Sequence, residues 1–143
     1  MRRVFESEYL NYVPWAQANT ANRVYPCSIA EGFQSGNIYV NEGADVETVL
    51  FWHDCGFAYI SGTVSERILR EILNDVCHQD KRRMLLITDA DPAVRFFQQK
   101  GVEIGRRIEY EYAGQIDSTN MNIDIRKIDS DNIRVITGRI MWL

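Results

Sequence analysis

The sequence predicts an α/β fold: a mixed sheet, antiparallel in its N-terminal strands, continued by a parallel strand-helix-strand unit and flanked by helices. Three observations carry that expectation. Ile68, Leu69, Ile72, Leu73, Val76 and Cys77 recur on one face of a 3.6-residue repeat, so residues 64–79 read as a helix with a buried side. Arg83-Met-Leu-Leu-Ile-Thr88 is apolar without alternation, the pattern of a strand covered on both faces. Asp54-Cys-Gly56 separates Glu47–His53 from Phe57–Gly62 as a hairpin turn, with glycine supplying the positive φ. Hairpin partners run antiparallel, whereas two strands joined by a crossover helix run parallel. The sheet is therefore mixed.

From the start of the chain, Phe5, Tyr9, Leu10, Tyr12, Val13 and Trp15 could line one side of a helix, which Pro14 would disturb. Tyr25 to Gly36 reads as a short helix started at Pro26 and broken by Gly36, and Asn37–Asn41 as a short strand. After the hairpin, Thr63 and Glu66 have the spacing of a capping box at the start of the long helix. Asp91 and Pro92 suit an N-cap and a first helical residue, and Gly101 stands where a left-handed C-terminal residue is wanted. Val102 to Tyr112 then alternates, with Val102, Ile104, Ile108, Tyr110 and Tyr112 on the inner side. Met121–Ile128 alternates again, and Asp129–Ile136 looks capped and helical. Residues 1–115 are read as one domain, and residues 116–143 either complete it or begin a second unit.

Composition bounds the function. A chain of 143 residues with 45% apolar content can bury a real core. A formal charge of −4 leaves no basic surplus for neutralising phosphates, which argues against a nucleic-acid partner. Lys81-Arg82-Arg83, the densest basic run, reads as the solvated end of a helix. No apolar run approaches the roughly 18 residues that would suggest a membrane span, and no secretory leader pattern is visible. Cys27, Cys55 and Cys77 are odd in number and widely spaced, which fits reduced thiols in a cytoplasm.

Candidate chemistry is sparse. His53, Asp54 and Cys55 are contiguous, so neighbouring side chains point to opposite faces and no metal site is expected. His78 suits a helix C-terminus, Asp89 and Asp91 suit helix capping, and Trp52 suits the core; Tyr59, Tyr110 and Tyr112 lie on strands and could offer a general acid, but alternation beside Ile108 favours core packing for the latter two.

The order of a helix, three antiparallel strands, a helix, a parallel strand, a helix and a last strand resembles the GNAT acetyltransferase superfamily. Asp91-Pro-Ala-Val-Arg-Phe-Phe-Gln-Gln-Lys-Gly-Val102 is similar to the late helix motif of that superfamily. Val24–Asn41 and Leu50–Gly62 resemble the N-terminal, degenerate half of a bacterial two-part GNAT-like acetyltransferase family. The resemblance implies a domain that is non-catalytic alone and shapes a substrate cleft or an oligomer interface. Its partner would be a missing C-terminal half, or a second copy. A fragment, or a product lacking its catalytic half, is the favoured expectation, with no cofactor of its own.

Two alternatives stand beside it. One is a small-ligand or protein-binding module. The other is an acetyl-CoA-dependent N-acyltransferase, in which backbone amides of Tyr59, Ile60, Ser61 and Gly62 pair with the pantetheine arm. Gly62, Thr63 and Ser65 would then cradle the pyrophosphate beside Phe96. Against it, the capping-box reading occupies the amides that the pyrophosphate needs. Phe97 also stands where the superfamily often has a tyrosine that protonates the leaving thiolate, and it has no proton to give. No catalytic residue is assigned.

Overall fold

The chain opens with a strand too short to show any periodicity. In the computed structural model, which describes residues 1–106, β1 (Arg2–Arg3) pairs antiparallel with β2 (Gly36–Val40). β2 pairs with β3 (Thr48–His53), and β3 with β4 (Phe57–Gly62), both antiparallel. β5 (Leu85–Ile87) joins β4 in parallel, through Phe57 with Leu85, Ala58 with Leu86 and Tyr59 with Ile87. The five strands lie in chain order, so the expected mixed sheet is present. These residues make up one compact unit, Met1–Arg106; the second, Arg107–Leu143, lies outside the described residues.

Each face of the sheet carries its own helical layer, because the strand side chains alternate. Leu50, Trp52, Ala58 and Ile60 pack beneath Ile68, Leu69, Ile72 and Val76 of the crossover helix and beneath Ala93 and Phe96. Ile38, Val40, Val49 and Phe51 pack on the opposite face beneath Tyr9, Tyr12, Ala16 and Ile29. Val49 to Trp52 are therefore fully buried, as a central strand requires. Trp52 is core, with the Arg82 guanidinium lying 4.6 Å over its ring.

Several boundaries differ from the sequence expectation for local reasons. Glu6–Tyr12 is a 3₁₀ segment that leads into α1 (Val13–Gln17), so Pro14 sits in the first helical turn, where its missing N–H costs nothing. Tyr9 and Tyr12 are buried while Phe5 and Leu10 are exposed, so these aromatic and apolar residues do not share one side. α2 (Val24–Ala30) ends well before Gly36, which belongs to β2. The crossover helix starts at Glu66, not Val64: α3 (Glu66–Glu71) passes through a π turn (Ile72–Val76) into α4 (Cys77–Gln79). Its expected apolar face is the one that is buried.

β5 departs further. Leu85 is 46% exposed, and Leu86 and Ile87 are only half-buried, so the strand is not covered on both faces. It is three residues long and has β4 as its one partner among the described residues. α5 (Asp91–Gln99) places Asp91 inside the first turn and Ala90 at the N-cap position, where the Ala90 N–H donates to Thr88 Oγ1 (3.1 Å). Asp91 is thus not the cap. Gly101 ends this helix at φ +71°, its N–H donating to Gln98 O, as expected. The strand expected from Val102 does not begin by Arg106: Val102 and Ile104 are exposed, and the Val102 N–H donates to Phe97 O. Residues 107–112, Met121–Ile128 and Asp129–Ile136 lie outside the described residues.

Lys81-Arg82-Arg83 is not a merely solvated run. Arg82 donates to both carboxylate oxygens of Asp80 (Nε 3.0 and 2.9 Å) and pairs with Asp54 in the β3–β4 turn, pinning the hairpin to the start of β5. Hydrogen bonding from Arg82 holds the Asp80 carboxyl below the usual carboxylate range. A depressed folded-state pKa contributes stability above the unfolded-state pKa of about 3.9 and loses it as pH falls through the folded value. Urea midpoints should therefore decline below about pH 4, and Arg82→Met should flatten that acid limb. An unchanged acid limb in Arg82→Met would remove the pair from the account.

Candidate functional site

β4 runs on beyond its parallel partner. Pairing with β5 ends at Tyr59 and Ile87, leaving Ile60, Ser61 and Gly62 at the carboxyl end of the parallel pair, where open α/β sheets gather ligands. The Thr63 N–H donates to Glu47 O (2.9 Å), so residue 63 faces β3. By alternation the backbone groups of Ile60 and Gly62 face the other way, into the gap past the end of β5.

That gap is filled by the chain itself. Asn19, only 2% exposed, comes from the turn between α1 and α2, and its Nδ2 donates to Ile60 O (2.8 Å) and Ser61 Oγ (2.9 Å). Its Oδ1 accepts from the Asn22 N–H (2.9 Å), and Asn22 Oδ1 in turn accepts from the Tyr25 N–H (3.2 Å). The side chain is thus satisfied at both ends. Thr20 Oγ1 donates to Asp89 Oδ1 (3.1 Å), fastening the same turn to the loop after β5. Composition and motif searching pass over Asn19. The signal present is Asn19-Thr-Ala-Asn22, two asparagines spaced so that each carbonyl meets an N–H three residues on.

The expected cofactor residues are only partly brought together. Tyr59 is fully buried and stacks on Tyr25 (centroids 5.9 Å, planes 14° apart). Ile60 and Ser61 are buried at the Asn19 contact. Gly62 turns the chain at φ +90°, with space for no side chain: a Cβ there would stand 2.3 Å from Glu47 O and 2.7 Å from Trp15 Cζ3. Phe96 lies apart, in the core between α5 and the crossover helix, with Phe97 edge-on to it at 5.1 Å.

The capping box is not formed. Ser65 is the N-cap, accepting from the Ile68 N–H through Oγ (3.4 Å), while Thr63 is engaged with β3: its carbonyl accepts from Thr48 Oγ1 (2.6 Å). Glu66 reaches forward to Arg70, one turn on, not back to Thr63. A helix start two residues later, at Glu66 instead of Val64, moves the cap from Thr63 to Ser65. Ser65→Ala should therefore cost about 1 kcal/mol in denaturant unfolding and Thr63→Ala, which leaves both backbone bonds in place, close to nothing. Equal losses, or a larger loss at Thr63, would restore the box.

Other groups supply little chemistry. Burial pushes the Cys77 thiol up, and burial together with Glu31 does the same to Cys27. Cys55 and His53 do share one side of the hairpin, Sγ lying 2.8 Å from Nδ1, whereas Asp54 turns to Arg82. Among the described residues no group of three His, Cys, Asp or Glu side chains could hold a metal ion, and no helix is long and apolar enough to cross a membrane. Comparison with family models, curated proteins and solved structures finds no match for this chain.

Proposed function

We propose that this chain is a GNAT-like N-terminal domain of an acetyltransferase-family protein, non-catalytic alone, which shapes a substrate cleft or an oligomer interface. The observation that carries the proposal is the Asn19 amide seated on Ile60 O and Ser61 Oγ. A pantetheine arm pairing with β4 needs those backbone groups, and a buried, doubly satisfied amide yields them only at the cost of its own desolvated partners. The element order supports the GNAT likeness: helices before the β2–β4 meander, then a crossover helix, a parallel strand and a further helix. Its natural partners are a C-terminal GNAT half or a second copy of the chain.

A second reading keeps a specific observation. The Gly62 turn leads into a helix whose first turn is capped at one N–H only, by Ser65, and the Glu66 charge is matched by Arg70. Such an end can still receive an anion. An acetyl-CoA-dependent N-acyltransferase acting on an amine would use it, with Gly62, Thr63 and Ser65 at the pyrophosphate. Calorimetry with acetyl-CoA, run alongside a thiol-release assay on a panel of amines, separates the readings. The proposal expects neither heat nor thiol; micromolar binding with turnover would replace it by the enzyme.

A further inference from the structure

The β3–β4 turn carries a pair of side chains that the acetyltransferase reading leaves unused. Cys55 is exposed, and its Sγ lies 2.8 Å from Nδ1 of His53, two residues back. The Cys55 N–H donates to the same nitrogen (3.0 Å), which marks Nδ1 as the bare, accepting nitrogen and puts the ring proton on Nε2. Nε2 is buried and has no hydrogen-bond partner among the described residues. The ring's one lone pair is thus turned out of the core, toward the thiol and its own amide.

Contacts outside the pair hold it in place. Tyr25 of α2 stands edge-on to the His53 ring (centroids 5.1 Å) and to Phe57 (5.6 Å), so the imidazole is backed by aromatic surface. The Asp54 N–H donates to Ser35 O (3.1 Å), the Gly56 N–H to His53 O (2.9 Å) and the Leu85 N–H to Gly56 O (2.8 Å), while Arg82 holds the Asp54 carboxylate. A base already at bonding distance from a thiol on a fixed turn is what activation of a nucleophile requires. Cys27 and Cys77 are the contrast: both are half-buried, and neither sulfur has an imidazole partner among the described residues.

We propose that Cys55 is a modification site, a thiol activated by His53 for exchange with small disulfides. Sγ attacks one sulfur of the disulfide as the S–H proton passes to His53 Nδ1. The new S–S bond forms as the old one breaks, and the departing sulfur takes the proton from the ring and leaves as a thiol. One thiol and one disulfide become one mixed disulfide and one thiol, so no further oxidant is needed. With no acceptor at Nε2, a protonated ring gains no resting partner, so the proton is handed on instead of being kept. The site stands independently of the acetyltransferase reading, at the opposite end of β4 from Gly62.

The test is treatment of the full chain with hydroxyethyl disulfide, which is uncharged, with the adduct located by peptide mass mapping. The rate at Cys55 is compared between the folded and the urea-unfolded chain, each normalised to N-acetylcysteine in the same solvent. Exposure alone gives a folded thiol no advantage over an unfolded one, whereas the proposal expects Cys55 to react about tenfold faster in the folded chain, within what a positioned base contributes. His53→Gln should remove that excess, with a thermal melt to check that the fold persists. Iodoacetamide should show the same ordering, since it reads the nucleophile without a disulfide. If folded Cys55 reacts no faster than unfolded, if a folded His53→Gln chain keeps the excess, or if Cys27 or Cys77 is modified first, the proposal is overturned; the folded-to-unfolded ratio of the unaltered chain decides it even where His53→Gln does not fold.

Discussion

Asn19→Ala is expected to lower the unfolding free energy of this chain by about 3 kcal/mol, the range for stranding buried hydrogen-bonding groups. The truncation leaves Ile60 O, Ser61 Oγ and the Asn22 N–H without their partner at a position only 2% exposed. It also frees the turn that Thr20 fastens to Asp89. Asn19→Asp is the sharper probe. It keeps shape and the acceptor for Asn22 but replaces the Nδ2 donor by a second oxygen facing Ile60 O. The account expects it to be at least as damaging as alanine. If Asn19→Asp is nearly neutral in urea unfolding, the donor bonds to β4 are not what holds the turn.

Gly62→Ala is expected to cost about 3–5 kcal/mol, or to prevent folding, because two penalties coincide. The residue sits at φ +90°, and the added Cβ would stand 2.3 Å from the Glu47 carbonyl oxygen. That oxygen belongs to the backbone and already accepts from the Thr63 N–H, so neither partner can retreat without opening the β3–β4 ladder. Gly101→Ala isolates the conformational part. It has φ +71° but nothing within 4 Å of a Cβ, and should cost only about 1–2 kcal/mol. Comparable losses at the two sites would mean that crowding at Gly62 is relieved by movement elsewhere.

The features that were legible in the sequence are those with a period or a punctuating residue. The apolar repeat from Ile68 to Val76, the glycine-closed turn between His53 and Phe57, and Gly101 after α5 each state a geometry locally, and each is found. The mixed sheet follows from them. β1 is silent because two residues cannot alternate, and it is specified by pairing with Tyr39 and Val40, about 37 residues away. The apolar run at Met84–Ile87 suggests a strand covered on both faces, but its burial depends on what flanks it, not on its own composition.

The strand-to-helix turn after β4 was legible as a place, and its capping was misread. Gly62 and Ser65 do mark the strand-to-helix turn. The box drawn from Thr63 to Glu66 fails because Thr63 is still held by β3 when the helix begins at Glu66. The group that closes the end of β4 lies more than 40 positions earlier, in a turn with no hydrophobic pattern. Long-range polar contacts of this kind leave no periodic trace. The Asn19–Asn22 spacing announces the turn itself but not its target on Ile60.

The central claim is that the slot past the end of β5 is occupied by this chain's own amide. The most direct measurement is a titration of the ¹⁵N-labelled chain with coenzyme A, reading the Asn19 side-chain NH₂ and the backbone amides of Ile60 to Arg67. The account predicts that these signals hold their positions into the millimolar range, with the Asn19 NH₂ slow to exchange with solvent. A saturable micromolar shift of Asn19 together with Gly62, Ser65 and Glu66 would contradict it, because the cofactor would then have displaced the plug and taken its place.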